Sequence, residues 1–380
     1  MKCPLSWLEI SKKNLKNNIK TLRDLIANKV AFCAVIKANA YGHGLKECAP
    51  IIAEAGTDFF GVNSLDEAVM LRKIGINEPI YIMGYVPVKE LSAVVEEGFH
   101  MVVYNAETVK TLEKICAKLH KPVFTHLKLE TGTCRQGILD SQLKIFLDFY
   151  KKNPLIRFTG LSMHFANIED TVDHSYAIYQ LNNFIGALKK IQSASFAPQY
   201  IHAANTAATM LFSKTHFTMV RIGIGIYGLW PSNETYLSVL QSGKKIDLKP
   251  IMAWKTIIAQ IKKVPAGSYV GYGCTYKTTC DSRLAVLPVG YYDGYDRGLT
   301  NLGYVLIRGL RAPIRGRVFM NMLVVDITHI PEAQIEDEVV LMGKQGNETL
   351  TADQIGSWLG TINYEVVTRI NKNMARKIVD

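Results

Sequence analysis

Apolar runs of strand length alternate with helical segments from residue 11 to residue 243. The runs lie at 31–36, 58–62, 80–84, 99–103, 123–129, 158–163, 199–203 and 219–222. Eight buried strands that alternate with helices predict a (β/α)8 barrel. An open doubly wound sheet is the alternative, but it requires a glycine-rich dinucleotide turn after an early strand. The segment Gly42-His43-Gly44 does not make one.

Three of the intervening segments carry clear helix signals. The first repeats apolar residues at intervals of three and four behind a serine suited to capping: Ser11, then Leu15, Ile19, Leu22 and Ile26. The second places Val109, Leu112, Ile115 and Leu119 behind Asn105. The third has the spacing of a capping box, Ser64 with Glu67, in which the glutamate side chain bonds back to the capping residue.

The pattern changes after Leu248-Lys249-Pro250 to short alternating runs rich in β-branched residues. These runs predict strands at 256–264, 283–289, 304–308, 323–327 and 338–342, interrupted by one helix at 351–358. Such a pattern is typical of an antiparallel β domain. We therefore expect an α/β protein with a barrel domain at 11–243 and a mostly antiparallel β domain at 244–380, which residues 1–10 join.

Composition and charge exclude several classes of protein. The net charge is +11, but the basic residues are scattered, so no nucleic-acid partner is expected. No apolar run approaches the length of a membrane helix, and the first residues lack the apolar core of a secretory signal. None of the seven cysteines forms a Cys-x-x-Cys pair, so we expect neither a metal site nor a disulfide framework. A cytoplasmic location is predicted.

The apolar run at 31–36 ends on Lys37, which the glycines Gly42 and Gly44 soon follow. A lysine amine delivered by a buried strand loses hydration, which lowers its pKa and makes a neutral nucleophile available. Such an amine suits a Schiff-base lysine, for which pyridoxal phosphate (PLP) is the commonest partner. For this residue taken alone, the alternative is a lysine that extends its amine from a strand edge into water.

Further polar segments follow the other strands, where barrel enzymes carry their chemistry. They are His126–Gly137, Met163–Ala166, His202–Thr206 and Val220–Gly225. The last two occupy the positions at which barrels commonly bind phosphate through backbone N–H groups.

Taken together, these segments resemble the alanine racemase family along nearly the whole chain. Nine motifs occur in order: AVIKANAYGHG, HLKLETGTCRQG, MHFAN, HAANTAA, VRIGIGIYG, VGYGCTY, PVGYYDG, GRVFMNM and TINYE. The resemblance implies a PLP enzyme that interconverts L- and D-alanine and supplies D-alanine for peptidoglycan. It also implies a homodimer with shared active sites, in which Tyr272 and Met320 serve the partner's site.

The resemblance assigns catalytic roles to five residues. Lys37 would hold PLP and act as one base, and Tyr272 would act as the second. A racemase needs a base on each face of the α-carbon, so this division makes chemical sense. His164 and Arg221 would place positive charge beside Tyr272, and Arg221 would also face the pyridine nitrogen. Arg135 would contact the cofactor's phenolic oxygen and the substrate carboxylate.

Binding roles follow from the same resemblance. The residues assigned to the cofactor are Lys37, Tyr41, Asn205, Thr206, Arg221, Gly223, Ile224 and Tyr364. Those assigned to the substrate are Arg135, Met320 and Tyr272, with Tyr291, Arg297 and Arg317 at its entrance. Lys128 matches a lysine that many members carbamylate; a pair with Glu130 or Asp326 is the alternative.

Asn321 stands where the family usually has aspartate, so the choice between alanine and serine stays open. A PLP-dependent decarboxylase, which would use Cys274 or Cys280, and a non-catalytic PLP-binding protein are the other functions that remain open.

Overall fold

The computed structural model describes residues 4–380, which form two compact units. The barrel unit comprises Leu15–Ala40 and Cys48–Lys249, and the β unit comprises the chain up to Asn14, Tyr41–Glu47 and Pro250–Asp380. Residues 1–3, which begin the segment expected to join the β domain and include Cys3, lie outside the described residues.

Eight parallel strands form the barrel unit, as predicted. In chain order they are Ala31–Val35, Phe59–Val62, Ile80–Ile82, His100–Val103, Val123–Lys128, Ile156–Ser162, Tyr200–His202 and Met219–Ile222. Each strand pairs with the next through Tyr200–His202, and the first pairs with the last. The remaining gap is bridged by hydrogen bonds from Thr218 N–H to the Ile201 carbonyl (3.2 Å) and from Arg221 N–H to the Ala204 carbonyl (2.9 Å). The prediction of a (β/α)8 barrel is confirmed.

One helix precedes these strands, and the others connect or follow them. They are Lys12–Arg23, Leu45–Glu54, Leu65–Lys73, Leu91–Glu96, Ala106–Leu119, Leu143–Lys152, Ser175–Ser193, Thr206–Leu211 and Asn233–Gln241. Two predicted caps are present, because Ser11 Oγ accepts from Asn14 N–H (3.1 Å) and Asn105 Oδ1 accepts from Thr108 N–H (2.9 Å). The first helix ends at Arg23, so Ile26 lies beyond it.

The predicted capping box forms only in part. Ser64 Oγ accepts from Glu67 N–H at 3.3 Å, as expected. The Glu67 carboxylate, however, accepts from Asn63 N–H and Ala38 N–H instead of bonding back to Ser64. The difference arises because the barrel brings the Ala38 N–H within reach of this carboxylate.

The β unit contains a seven-stranded sheet, a three-stranded sheet and a short ribbon. The strands of the large sheet are Ser6–Ser11, Met252–Ile257, Tyr304–Ile307, Leu310–Pro313, Glu338–Gln345, Glu348–Leu350 and Ala375–Val379. Those of the small sheet are Gln260–Val264, Ser282–Leu287 and Leu323–Asp326, and the ribbon joins Tyr269–Val270 to Tyr276–Lys277. Their pairing is antiparallel except between Ser6–Ser11 and Ala375–Val379.

Two details of the β unit differ from the sequence prediction. The single strand expected at 256–264 is two strands in different sheets. The chain crosses over where Ile258 N–H bonds to the Asp337 carbonyl (3.1 Å) and Ala259 N–H bonds to the Val286 carbonyl (2.9 Å). A second helix, Asn363–Thr368, follows Ala352–Leu359, where one helix was expected. Its six residues are too short to show a helical period.

Among residues 4–380, no helix combines the length and apolar character that crossing a bilayer requires.

Candidate active site

The first barrel strand leads into a left-handed turn that carries Lys37. Four non-glycine residues follow Lys37 with positive φ: Ala38 (53°), Asn39 (56°), Ala40 (54°) and Tyr41 (52°). Left-handed backbone costs an L-residue roughly 1–2 kcal/mol, so surrounding contacts must hold such a turn. Within the barrel unit, Ala40 N–H bonds to the Ile36 carbonyl at 2.9 Å, and Ala38 N–H bonds to Glu67 Oε1 at 2.6 Å.

The Lys37 amine lies at the carboxyl end of the barrel. Burial lowers its pKa from the usual value, and the positive charge of Arg135 lowers it further. The carboxylates of Glu67 and Glu169 act in the opposite direction. The balance favours a neutral, nucleophilic amine at lower pH than for an exposed lysine.

Arg221 is a buried cation, with 8% of the residue exposed. Its guanidinium donates to His202 Nδ1 (2.8 Å) and to the backbone carbonyls of His202 (2.7 Å), Met163 (2.9 Å) and Ala203 (3.1 Å). These acceptors are all uncharged. The arrangement fixes the guanidinium at the end of the last barrel strand while leaving its charge without a carboxylate partner at these contacts.

Behind Arg221, three histidines form a hydrogen-bonded chain through the barrel interior. His202 Nε2 lies 2.8 Å from His126 Nδ1, and His126 Nε2 lies 3.0 Å from His100 Nδ1. Because a guanidinium can only donate, His202 Nδ1 must accept, and the proton of each neutral imidazole is assigned to Nε2. Burial lowers the pKa of His100 to about 4 and those of His126 and His202 well below the usual value, so all three are neutral near pH 7.

Lys128 and His164 are also shifted towards their neutral forms. Burial, followed by the charges of Arg221 and Arg135, lowers the pKa of Lys128 to about 7. Burial, again with Arg221 as the first charged contributor, lowers the pKa of His164 well below its usual range. The sequence analysis predicted a positively charged His164. In the structure this imidazole is neutral, and the positive charge lies on Arg221 and Arg135.

The loop that carries Arg135 is organised around Glu130. The Glu130 carboxylate accepts from the N–H groups of Gly132 (2.7 Å), Thr133 (2.6 Å) and Arg135 (3.1 Å). Lys128 Nζ instead donates to Gln136 Oε1 at 3.1 Å. The alternative of a Lys128 ion pair with Glu130 therefore does not form, because this carboxylate serves its own loop.

The residues assigned to phosphate meet at the ends of the last two strands. Thr206 Oγ1 accepts from Gly223 N–H at 3.0 Å, and Ile224 begins the tight turn that follows. Asn205 Oδ1 caps the helix Thr206–Leu211 by accepting from Ala208 N–H at 2.9 Å, while its amide donates to Glu169 Oε1 at 2.6 Å. This part of the barrel unit therefore brings together the Thr206 hydroxyl and the backbone N–H groups of Gly223 and Ile224.

The β unit gathers the remaining candidates in two places. Tyr41 and Tyr364 lie with ring centroids 6.0 Å apart. A cleft of about 790 Å³ contains the other candidates, namely Tyr272, Tyr291, Arg297, Arg317 and Met320, together with Asn321. Tyr272 is 75% exposed and meets the Phe319 ring edge-on at 5.1 Å.

Sequence reasoning gave no role to His100, His126 or His202, and it treated Glu67 only as a helix cap. A signal for the histidines was present, since each lies within or at the end of an apolar strand of the barrel. No comparable signal indicated a role for Glu67, because its partner Ala38 is 29 residues away in the sequence.

Family models match both units of the chain. The alanine racemase N-terminal domain matches residues 10–231, and the alanine racemase C-terminal domain matches residues 251–378. The chain belongs to the alanine racemase family. The resemblance drawn from the motifs is confirmed.

Individual proteins named alanine racemase are similar to this chain over nearly its whole length. The chain is 41% identical over 378 residues to a Leptospira interrogans alanine racemase, which covers 99% of this chain and 96% of that protein. It is 37% identical over 371 residues to a Methanococcus maripaludis alanine racemase, covering 97% of each.

Solved structures of the family have the same fold. An alanine racemase from Bacillus anthracis with bound L-Ala-P superposes with a TM-score of 0.93 at 33% identity, covering 100% of this chain and 96% of that one. A Clostridium difficile alanine racemase superposes with a TM-score of 0.94 at 32% identity, covering 100% and 97%.

Proposed function

We propose that this chain interconverts L- and D-alanine with PLP, by removing the α-proton on one face and returning a proton on the other. The observation that carries the proposal is the Lys37 amine at the carboxyl end of the barrel, with its pKa lowered by burial and by Arg135. Family membership supports the same reaction. Its product would serve peptidoglycan synthesis.

The residues present suit PLP. Lys37 supplies the amine that would hold it, and the Thr206 hydroxyl and the Ile224 N–H offer donors for a phosphate. The Gly223 N–H, which donates to Thr206 Oγ1 in this structure, would turn to the phosphate when it binds. The phenols of Tyr41 and Tyr364 add two further donors, and Asn205 caps the adjoining helix. When bound, PLP withdraws electrons from the α-carbon of an attached amino acid and so acidifies its proton.

Arg221 would face the pyridine nitrogen as a hydrogen-bond donor. An arginine keeps its proton at neutral pH, so the nitrogen opposite it would stay unprotonated. The four contacts of its guanidinium to neutral acceptors support this role, because they hold the group in one orientation without a carboxylate.

Two residues would move the proton. Lys37 Nζ serves one face of the α-carbon and Tyr272 Oη serves the other, while Arg135 orients the substrate carboxylate and Met320 lines the side-chain pocket. Tyr272 is 75% exposed in the single chain, in a cleft of about 790 Å³. A second copy that covers this cleft would exclude water from the tyrosine, which supports a homodimer with shared active sites.

We further propose that Lys128 is carbamylated. An amine whose pKa is about 7 is largely neutral at slightly alkaline pH and can attack carbon dioxide. The nitrogen forms a bond to carbon and releases one proton, which leaves a carbamate anion in place of a cation. That anion would orient the Arg135 guanidinium.

The domain boundaries at 11–243 and 244–380 and the cytoplasmic location remain predictions.

Replacing Lys37 tests the function. The variant Lys37→Ala should lose both the visible absorbance of bound cofactor and the racemisation of L-alanine, followed by optical rotation. Lys144→Ala is the matched control, because the Lys144 side chain is 87% exposed. Racemisation by Lys37→Ala at the wild-type rate would contradict the proposal, and carbon dioxide release from amino acids by the wild type would favour a decarboxylase.

A further inference from the structure

The carboxylate of Glu67 joins the carboxyl ends of two neighbouring barrel strands. Its Oε1 accepts from Ala38 N–H at 2.6 Å, and its Oε2 accepts from Asn63 N–H at 2.8 Å. Ala38 follows the strand Ala31–Val35, and Asn63 follows the parallel neighbour Phe59–Val62. Neither helix capping nor the proposed reaction accounts for this bridge.

The bridge holds the first peptide of a strained turn. Ala38, Asn39 and Ala40 have φ values of 53°, 56° and 54°, which L-residues adopt only when their surroundings hold them. The nitrogen held by Glu67 belongs to the peptide directly after Lys37. This peptide is bonded to the Lys37 Cα, so fixing it restrains the backbone from which the Lys37 side chain extends.

We propose that Glu67 is a positioning residue, whose carboxylate fixes the peptide after Lys37 and so directs the lysine amine towards the reacting centre. This role rests on the proposed function of Lys37. A carboxylate is required because each oxygen accepts from a different N–H, whereas glutamine has one acceptor oxygen. Its charge also raises the pKa of Lys37, as does that of Glu169, against burial and the charge of Arg135.

Three variants separate this role from simple helix capping. Glu67→Gln removes the charge and one acceptor, and Glu67→Asp keeps the charge but shortens the reach. Ser64→Ala is the matched control, because it removes the bond from Glu67 N–H to Ser64 Oγ (3.3 Å) at the start of the same helix. This control leaves the Glu67 carboxylate and its bonds to Ala38 and Asn63 in place.

The readouts are made first on the full-length chain without cofactor. Hydrogen exchange at the Ala38 amide reports its bond, and competitive acetylation with mass spectrometry over a pH series reports the pKa of Lys37. In Glu67→Gln we expect hydrogen exchange at the Ala38 amide to accelerate at least about fivefold, because one hydrogen bond is lost. We expect the pKa of Lys37 to fall, because the Glu67 charge that raises it is removed. Glu67→Asp should accelerate exchange but keep the pKa.

Cofactor affinity is then measured for the same proteins by equilibrium dialysis. Affinity should fall about tenfold in both Glu67 variants and stay at the wild-type value in Ser64→Ala. If Glu67→Gln matches Ser64→Ala in exchange, lysine pKa and affinity, Glu67 is only a structural residue and the proposal is wrong. The first two measurements need no racemase activity, so they give their result even if the proposed function fails.

Discussion

Replacing Lys128 with methionine should stabilise the cofactor-free chain, and should do so more at acid than at alkaline pH. Burial and the charges of Arg221 and Arg135 lower the pKa of Lys128 from 10.5 to about 7. The folded state therefore holds the charged amine at a cost that is complete below about pH 7. The cost disappears as the pH rises towards the unfolded value of 10.5.

The magnitude follows from the difference between the two pKa values. A difference between 10.5 and about 7 corresponds to about 5 kcal/mol at pH 6. At pH 9 most of the folded-state amine is neutral while the unfolded amine is still charged, and about 2 kcal/mol of the cost remains. The stability advantage of Lys128→Met over the wild type should therefore shrink by about 3 kcal/mol between pH 6 and pH 9.

The assay is equilibrium urea unfolding of both proteins across this pH range, in buffers free of carbon dioxide so that the amine stays unmodified. Lys144→Met is the matched control, because its side chain is 87% exposed and its ion pair with Asp148 lies at the surface. Its stability difference from the wild type should change by less than about 0.5 kcal/mol over the same range. If the stability difference between Lys128→Met and the wild type changes as little with pH as that of Lys144→Met, the reasoning is refuted.

Three further predictions concern the reaction and the barrel core. Tyr272→Phe should block α-proton exchange with solvent deuterium for one alanine enantiomer and preserve it for the enantiomer handled by Lys37; wild-type exchange in both would make Tyr272 structural. L-alanine should have a much higher kcat/KM than L-lysine, because Met320 in its proposed position would limit the side-chain pocket, and equal values would show an open pocket. Gly160→Ala should lower stability by about 1–3 kcal/mol, measured by urea unfolding, because the new methyl group would collide with the His126 ring; wild-type stability would show that the ring can move aside.

Much of the fold and part of the site follow from local sequence signals. The eight apolar runs became the eight barrel strands, and Ser11 and Asn105 cap the helices that follow them. The period of the apolar residues and the capping side chains act within a few residues of each other. Such signals are largely independent of the rest of the fold, so the sequence alone could show them.

For the site residues, the sequence indicated their identity but not their protonation states. Motif resemblance named Lys37, Arg221 and Thr206, and the structure places each at the carboxyl end of a barrel strand or just after it. It could not give their protonation states. His164 was expected to carry positive charge, but burial and the basic side chains of Arg221, Lys128, Arg135 and Lys37 lower its pKa and make it neutral. Desolvation and neighbouring charge depend on which side chains the fold encloses together.

The hydrogen bonds and the strand division that sequence reasoning missed depend on contacts between distant parts of the chain. His126 bonds to histidines 26 and 76 residues away, and Glu67 bonds to Ala38 across 29 residues. The expected strand at 256–264 divides because its two halves find partners in different sheets. Local sequence specifies which backbone conformation a segment prefers, but closure of the barrel and packing of the sheets decide which donors and acceptors meet. A buried polar group must bond to whatever the fold brings within reach, so its partner is a property of the whole chain.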